Sequence, residues 1–131
     1  VPDEVLSNML DGKWSVKQNI GHLAEVDEIA LKRIDEIRTG QPVLSPAVFE
    51  PKQDYNATSA EQVVEYFRRR RIANLDRYRS LVPEDFAHMS MHPRLKQQMS
   101  VVDLAWFDAE HDDHHLVRIN EILNTLLINP A

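Results

Sequence analysis

Beyond residue 40 this 131-residue chain contains no glycine; its three glycines stand at positions 12, 21 and 40. Most of the chain therefore lacks the residue that supplies the positive φ of tight hairpins, which argues against an all-β fold and leaves helices to bury the apolar surface. With 43% hydrophobic and 27% charged residues the sequence has enough apolar material for one core and too much for disorder. Residues 1–131 are read as a single domain.

Helical periodicity follows. Ser15 and Gln18 form an S-x-x-Q capping box, after which Val16, Ile20, Leu23, Ala30, Ile34 and Ile37 recur at spacings of three and four until Thr39-Gly40. This predicts a first long helix over 15–39. Residues 40–57 hold Pro42, Pro46 and Pro51 without a period and read as a long loop, of the kind that often serves as a lid. A second helix starts near Thr58-Ser59 and runs to about Leu81, with Val63, Val64, Phe67, Leu75 and Tyr78 on its apolar face. Residues 82–99 are aperiodic, with room for a short extra turn. The last helix begins at Ser100, paired with Asp103, and carries Val102, Ala105, Ala109, Leu116, Ile119, Leu123 and Leu126 to about Asn129-Pro130. Stripes of this length pack as an antiparallel bundle. Residues 1–13 suffice for a turn or two, so one flank is expected to be covered by residues preceding Val1 or by a second copy.

Several function classes are disfavoured. The absence of cysteine removes disulfides, thiolate nucleophiles and Cys-ligated zinc, and suits a reducing cytoplasmic setting. A net charge of −6 argues against nucleic acid as a partner. No apolar run approaches the length that spans a bilayer, so no membrane partner is expected. Arg68 to Arg71 wrap around a helical turn and read as a solvated face paired with Glu65 and Asp76. Arg71 is the exception, lying on the side of Phe67, Leu75 and Tyr78, where it is placed to receive a carboxylate from a cofactor or from Asp27.

His111 and His115, one helical turn apart, can converge on one metal, or they can be two solvated histidines beside Asp112, Asp113 and His114. His22 shares its side of the first helix with Asn19, Val26 and Ile29, next to the apolar stripe. It is either a core histidine with its hydrogen bonds satisfied or a third ligand. Asp27 and Asp112 fall where apolar residues are expected; each either orients a ligand histidine or pairs across helices. His92, in a loop, is a candidate to bind substrate or donate a proton, the alternative being simple solvation. Glu110 is a candidate general base, although it is rotated about 100° from His111. His88 has less to recommend it.

Gly12-Lys13-Trp14-Ser15-Val16 with Ile20-Gly21-His22-Leu23 resembles the "gkWSv…HL" signature of the DinB/YfiT-like superfamily. Ala109-Glu110-His111-Asp112-Asp113-His114-His115-Leu116 resembles its final-helix "aEHxxHHl" motif, and His92-Pro93-Arg94-Leu95 its "HP.L" segment. The resemblance spans about residues 12–123. It implies an all-α DinB-like bundle of up-down-down-up type, with the first helix short or missing here. It also implies His22, His111 and His115 as ligands of a divalent metal, with His114 facing out. Zinc or nickel suits such a set, and three protein ligands leave positions open for water or substrate. The family includes proteins regarded as metal-dependent hydrolases and others resembling transferases or isomerases that use low-molecular-weight thiols. The expectation for this chain is a small-molecule enzyme, thiol S-transfer ranking before hydrolysis, and a homodimer. A non-catalytic metal-binding or interaction bundle is the rival.

Overall fold

The computed structural model describes residues 1–47 and 50–128. It contains α1 (Asp3–Leu6), α2 (Val16–Arg38), α3 (Ala60–Arg79) and α4 (Val101–Leu123), with a two-stranded ladder of β1 (Ser90–Met91) and β2 (Gln98–Met99) before α4. The helix starts are those the sequence predicts. Ser15 Oγ accepts from the Gln18 N–H while Gln18 Oε1 accepts from the Ser15 N–H at 2.9 Å. Ser59 caps α3, and Ser100 exchanges the same pair of bonds with Asp103 on α4. After Leu123 the chain continues as a π-helical turn, Asn124–Ile128; the expected stop at Asn129-Pro130 lies outside the described residues.

Contacts along α2 give the direction of its neighbours. Glu28 meets Tyr66, Asp27 meets Arg71 and Asp35 meets Arg77, so α2 and α3 run parallel. His22 meets His111 and Asn19 meets His115, while Ile34 and Ile37 pack with Leu104 and Val101, so α4 runs antiparallel to α2. This is the down-down-up portion of the order implied by the resemblance. Antiparallel packing of neighbours therefore fails for α2 and α3, and the Pro-rich segment between them is the reason. Parallel helices need a connection that returns along the full length of the first, roughly 35 Å for α2. The segment does this step by step: Ser45 bonds Glu36, Lys52 bonds Glu25 and Glu28, Tyr55 bonds Glu25, and Asn56 bonds Ser15. What reads as a lid is a crossover strapped to α2.

Gly21 marks where the strap closes. A Cβ at this position would lie 2.5 Å from the ring of Tyr55, which is buried and donates its hydroxyl to Glu25. In an open helix, alanine would gain about 1 kcal/mol over glycine; forcing a methyl into a filled site costs about 1–3 kcal/mol. We expect Gly21→Ala to lower stability in chemical denaturation by up to about 2 kcal/mol net. A midpoint equal to or above wild type would show that Tyr55 is free to move aside.

The purely apolar core lies at the C-terminal end of α2, where Ile34, Ile37, Leu44, Met99, Val101 and Leu104 come together. The N-terminal half of the same helix buries Lys17, Asn19, His22, Glu25 and Asp27 alongside Val16, Leu23 and Ala24. Two expected apolar faces are corrected. Val64 and Leu75 of α3, and Val102 and Leu116 of α4, are exposed. On α4 the buried apolar residues are Val101, Leu104 and Ile122. Among the described residues α2 alone covers both α3 and α4 extensively, and α4 turns Asp108, His111, Asp112 and His115 inward, so part of its apolar stripe faces out. In the 82–99 stretch there is a 3-10 turn, Pro83–Ala87, and the β1–β2 ladder, reversed without glycine because Lys96 adopts φ 56°. Among the described residues no helix is long and apolar enough to cross a membrane.

Candidate metal centre

The inward stripe of α2 reads Asn19, His22, Val26, Ile29, Arg33, at alternating spacings of three and four. The facing stripe of α4 reads Leu104, Asp108, His111, His115. Because the helices are antiparallel, His22 meets both histidines of α4. His111 Nε2 lies 3.2 Å from His22 Nε2 and 3.2 Å from His115 Nε2, and the ligand-capable atoms of all three are within 4.8 Å of one another. The Trp14 ring lies 4.9 Å from that of His22 and stacks on His115 at 6.3 Å.

The donor set suits a cation better than mutual hydrogen bonds. Burial, and then the nearby His111, push His22 and His115 down to about 4; burial also lowers His111, so the rings are neutral near pH 7. His115 Nδ1 lies 2.7 Å from Asn19 Oδ1, an acceptor, because the Asn19 amide donates to the Ser15 carbonyl at 2.9 Å. The proton of His115 is thus on Nδ1 and its Nε2 is a bare lone pair. His111 Nδ1 is buried without a partner, so neither tautomer satisfies that ring. Two imidazole nitrogens on one tetrahedral zinc lie about 3.3 Å apart, close to the spacings seen here.

Asn19 thereby becomes a site residue that the sequence analysis noted only as a neighbour of His22. Outer-shell partners of this kind typically contribute 10–100-fold to metal affinity. Asn19→Ala should weaken zinc binding by about 10-fold or more, measured by competition with a chromogenic chelator. Unchanged affinity would mean that Asn19 does not set the ring of His115.

Beside His111 opens a cavity of about 330 Å³ whose lining includes Val26, Ile29, Arg33, His92, Phe107 and Asp108. His92 is buried, and its Nδ1 accepts from the Arg94 and Leu95 N–H groups at 3.1 Å each. Its proton is therefore on Nε2, so it serves as a hydrogen-bond donor. Burial, then Arg33 and Arg94, lower its pKa. Burial raises Asp108 to about 7 against the pull of Arg33; its three-residue spacing from His111 was the available signal.

The remaining candidates are elsewhere. Glu110 is exposed, beside Trp106 and Gln98. Arg71 is engaged by protein carboxylates: Nε and Nη2 reach Asp27 at 2.7 and 3.2 Å, and Nη2 reaches Asp112 at 2.7 Å. Asp27 and Asp112 thus pair across helices. His114 and His88 are exposed.

The family model for the DinB superfamily matches residues 1–119. The chain belongs to the DinB superfamily. Among solved structures it is similar to YfiT from Bacillus subtilis, with a TM-score of 0.80 at 20% identity, over 96% of this chain and 75% of that one. YfiT is described as a probable metal-dependent hydrolase with an unusual four-helix bundle topology; at this identity the likeness establishes the DinB fold alone. Among curated proteins none is significantly similar to this sequence.

Proposed function

We propose that this DinB-superfamily chain is a metal-dependent enzyme acting on a small molecule, with zinc or nickel held by His22, His111 and His115. One observation carries the reading: three neutral imidazoles with their Nε2 atoms clustered at 3.2 Å contacts, beside a largely apolar cavity. A divalent ion there would supply Lewis acidity, turning a thiol or a water into a nucleophile at neutral pH.

The chain's own residues support the chemistry around it. Asn19 orients His115, and Trp14 packs against the rings. His92 offers Nε2–H to a substrate oxygen. Asp108, near 7, is poised to take or return a proton. The apolar lining favours thiol S-transfer, since it keeps water from an electrophile. Hydrolysis is the second reading, supported by the likeness to YfiT. Exposed Val64, Ile72, Trp106 and Val117 support a homodimer.

Metal analysis of purified protein should find about one zinc or nickel per chain. The loaded protein should then conjugate a low-molecular-weight thiol to an alkylating substrate faster than it cleaves esters. Thiol-independent cleavage alone would move the assignment to hydrolysis, and failure to bind either metal would remove both.

A further inference from the structure

The cavity beside His111 is walled largely by carbon, and three residues of its lining, Arg33, Asp108 and His111 itself, each hold a buried polar atom without a partner. Arg33 is 4% exposed; its Nε donates to the Ser45 carbonyl at 2.9 Å, while Nη2 is buried with no acceptor. Asp108 Oδ2 is likewise buried with no donor. Both residues line the cavity, yet among the described residues no ion pair joins Arg33 to Asp108. The other nearby carboxylate, Glu36, is taken up by the Ser45 N–H and hydroxyl at 3.0 and 2.6 Å. A buried guanidinium with an unfilled donor is costly and selects for an anionic partner.

We propose that Arg33 and Asp108 form the seat for a carboxylate of the substrate. The substrate class is then a monocarboxylate with an apolar body, its head on the Arg33 guanidinium and Asp108, its body along Val26, Ile29 and Phe107, and its reacting group toward His111. This rests on the metal-centre reading of the same cavity. Arg33 is the buried cation of the lining, Arg94 being exposed; one buried cation matches one negative charge, and the apolar lining disfavours a hydrated dianion such as phosphate. Asp108, held near 7 by burial, carries a proton much of the time near neutrality and can donate it to the guest's second oxygen. Arg71, expected to receive a carboxylate from a cofactor or from Asp27, is occupied by Asp27 and Asp112.

Zinc-loaded protein titrated calorimetrically with 4-phenylbutyrate and with its neutral amide provides the test. Wild type should bind the acid at least about 10-fold more tightly than the amide, as expected of a charge-assisted contact. Arg33→Met should abolish the preference, and His115→Ala, which damages the metal centre, should keep it. Equal binding of acid and amide, or of neither, overturns the proposal. So does a preference that survives Arg33→Met. A preference lost only in His115→Ala would put the carboxylate on the metal, overturning the Arg33 seat while leaving the metal centre standing. Should Arg33→Met fail to fold, the Arg33 Nε–H resonance of zinc-loaded wild type gives the same decision: a shift with the acid and none with the amide supports the seat, and an unmoved resonance overturns it.

Discussion

Replacing His111 by alanine should strip the chain of its metal and leave the bundle folded. His111 is the middle of the three imidazoles, 3.2 Å from each of the others, so its loss leaves two nitrogens that do not fill a site. Loss of a ligand should exceed the cost of disturbing an outer-shell partner, so a fall in zinc affinity of more than about 100-fold is expected. The fold should tolerate it: the ring is only partly buried and its Nδ1 has no hydrogen bond to lose. Elemental analysis together with far-UV circular dichroism reads both effects. Wild-type metal content in His111→Ala would refute the assignment of the centre.

The second large effect concerns Arg71. Its guanidinium binds Asp27 of α2 in a two-pronged contact and also Asp112 of α4, so one side chain of α3 joins all three long helices. Asp27 is 4% exposed. Arg71→Met would leave a buried carboxylate facing a second one, and breaking such a pair from one side costs about 3–5 kcal/mol. Because Arg71 is partly exposed, about 3 kcal/mol is the better expectation.

The loss should depend on pH. Burial already pushes Asp27 above the ordinary carboxylate value, with Arg71 opposing that rise, and without Arg71 it rises further. The folded variant then holds more protons than its unfolded chain at mildly acidic pH. Its stability deficit therefore shrinks as pH falls and is largest above the folded pKa. Urea denaturation at pH 5 and pH 7 measures this; a deficit equal at both, or below about 1 kcal/mol, would reduce the pair to a surface contact.

Much of this was legible locally. A side-chain cap needs only residues three apart, which is why Ser15, Ser59 and Ser100 begin helices where the sequence predicts. The spacing of His111 and His115 places them on one face for the same reason. Other features depended on the partner across the bundle. His92 is a candidate whose role stays open in the sequence, because the backbone amides that fix its tautomer belong to a hairpin built on Lys96, not on glycine. Arg33 gives no signal, lying among the apolar residues Ala30, Ile34 and Ile37, and its importance comes from Asp108 on another helix. Asp108 shares the face of His111, but burial gives it its proton affinity.

By itself, then, the sequence determined the helix starts, the family and which histidines share a face, because caps, periodicity and motifs act within a few residues along the chain. Only the tertiary structure decided that α2 and α3 run parallel, that the Pro-rich segment is a strap, that Arg71 is locked between carboxylates and that Arg33 is a buried guanidinium in the lining of the cavity. Those outcomes depend on which charges and rings are brought face to face and shut away from water, and helical spacing carries no record of that.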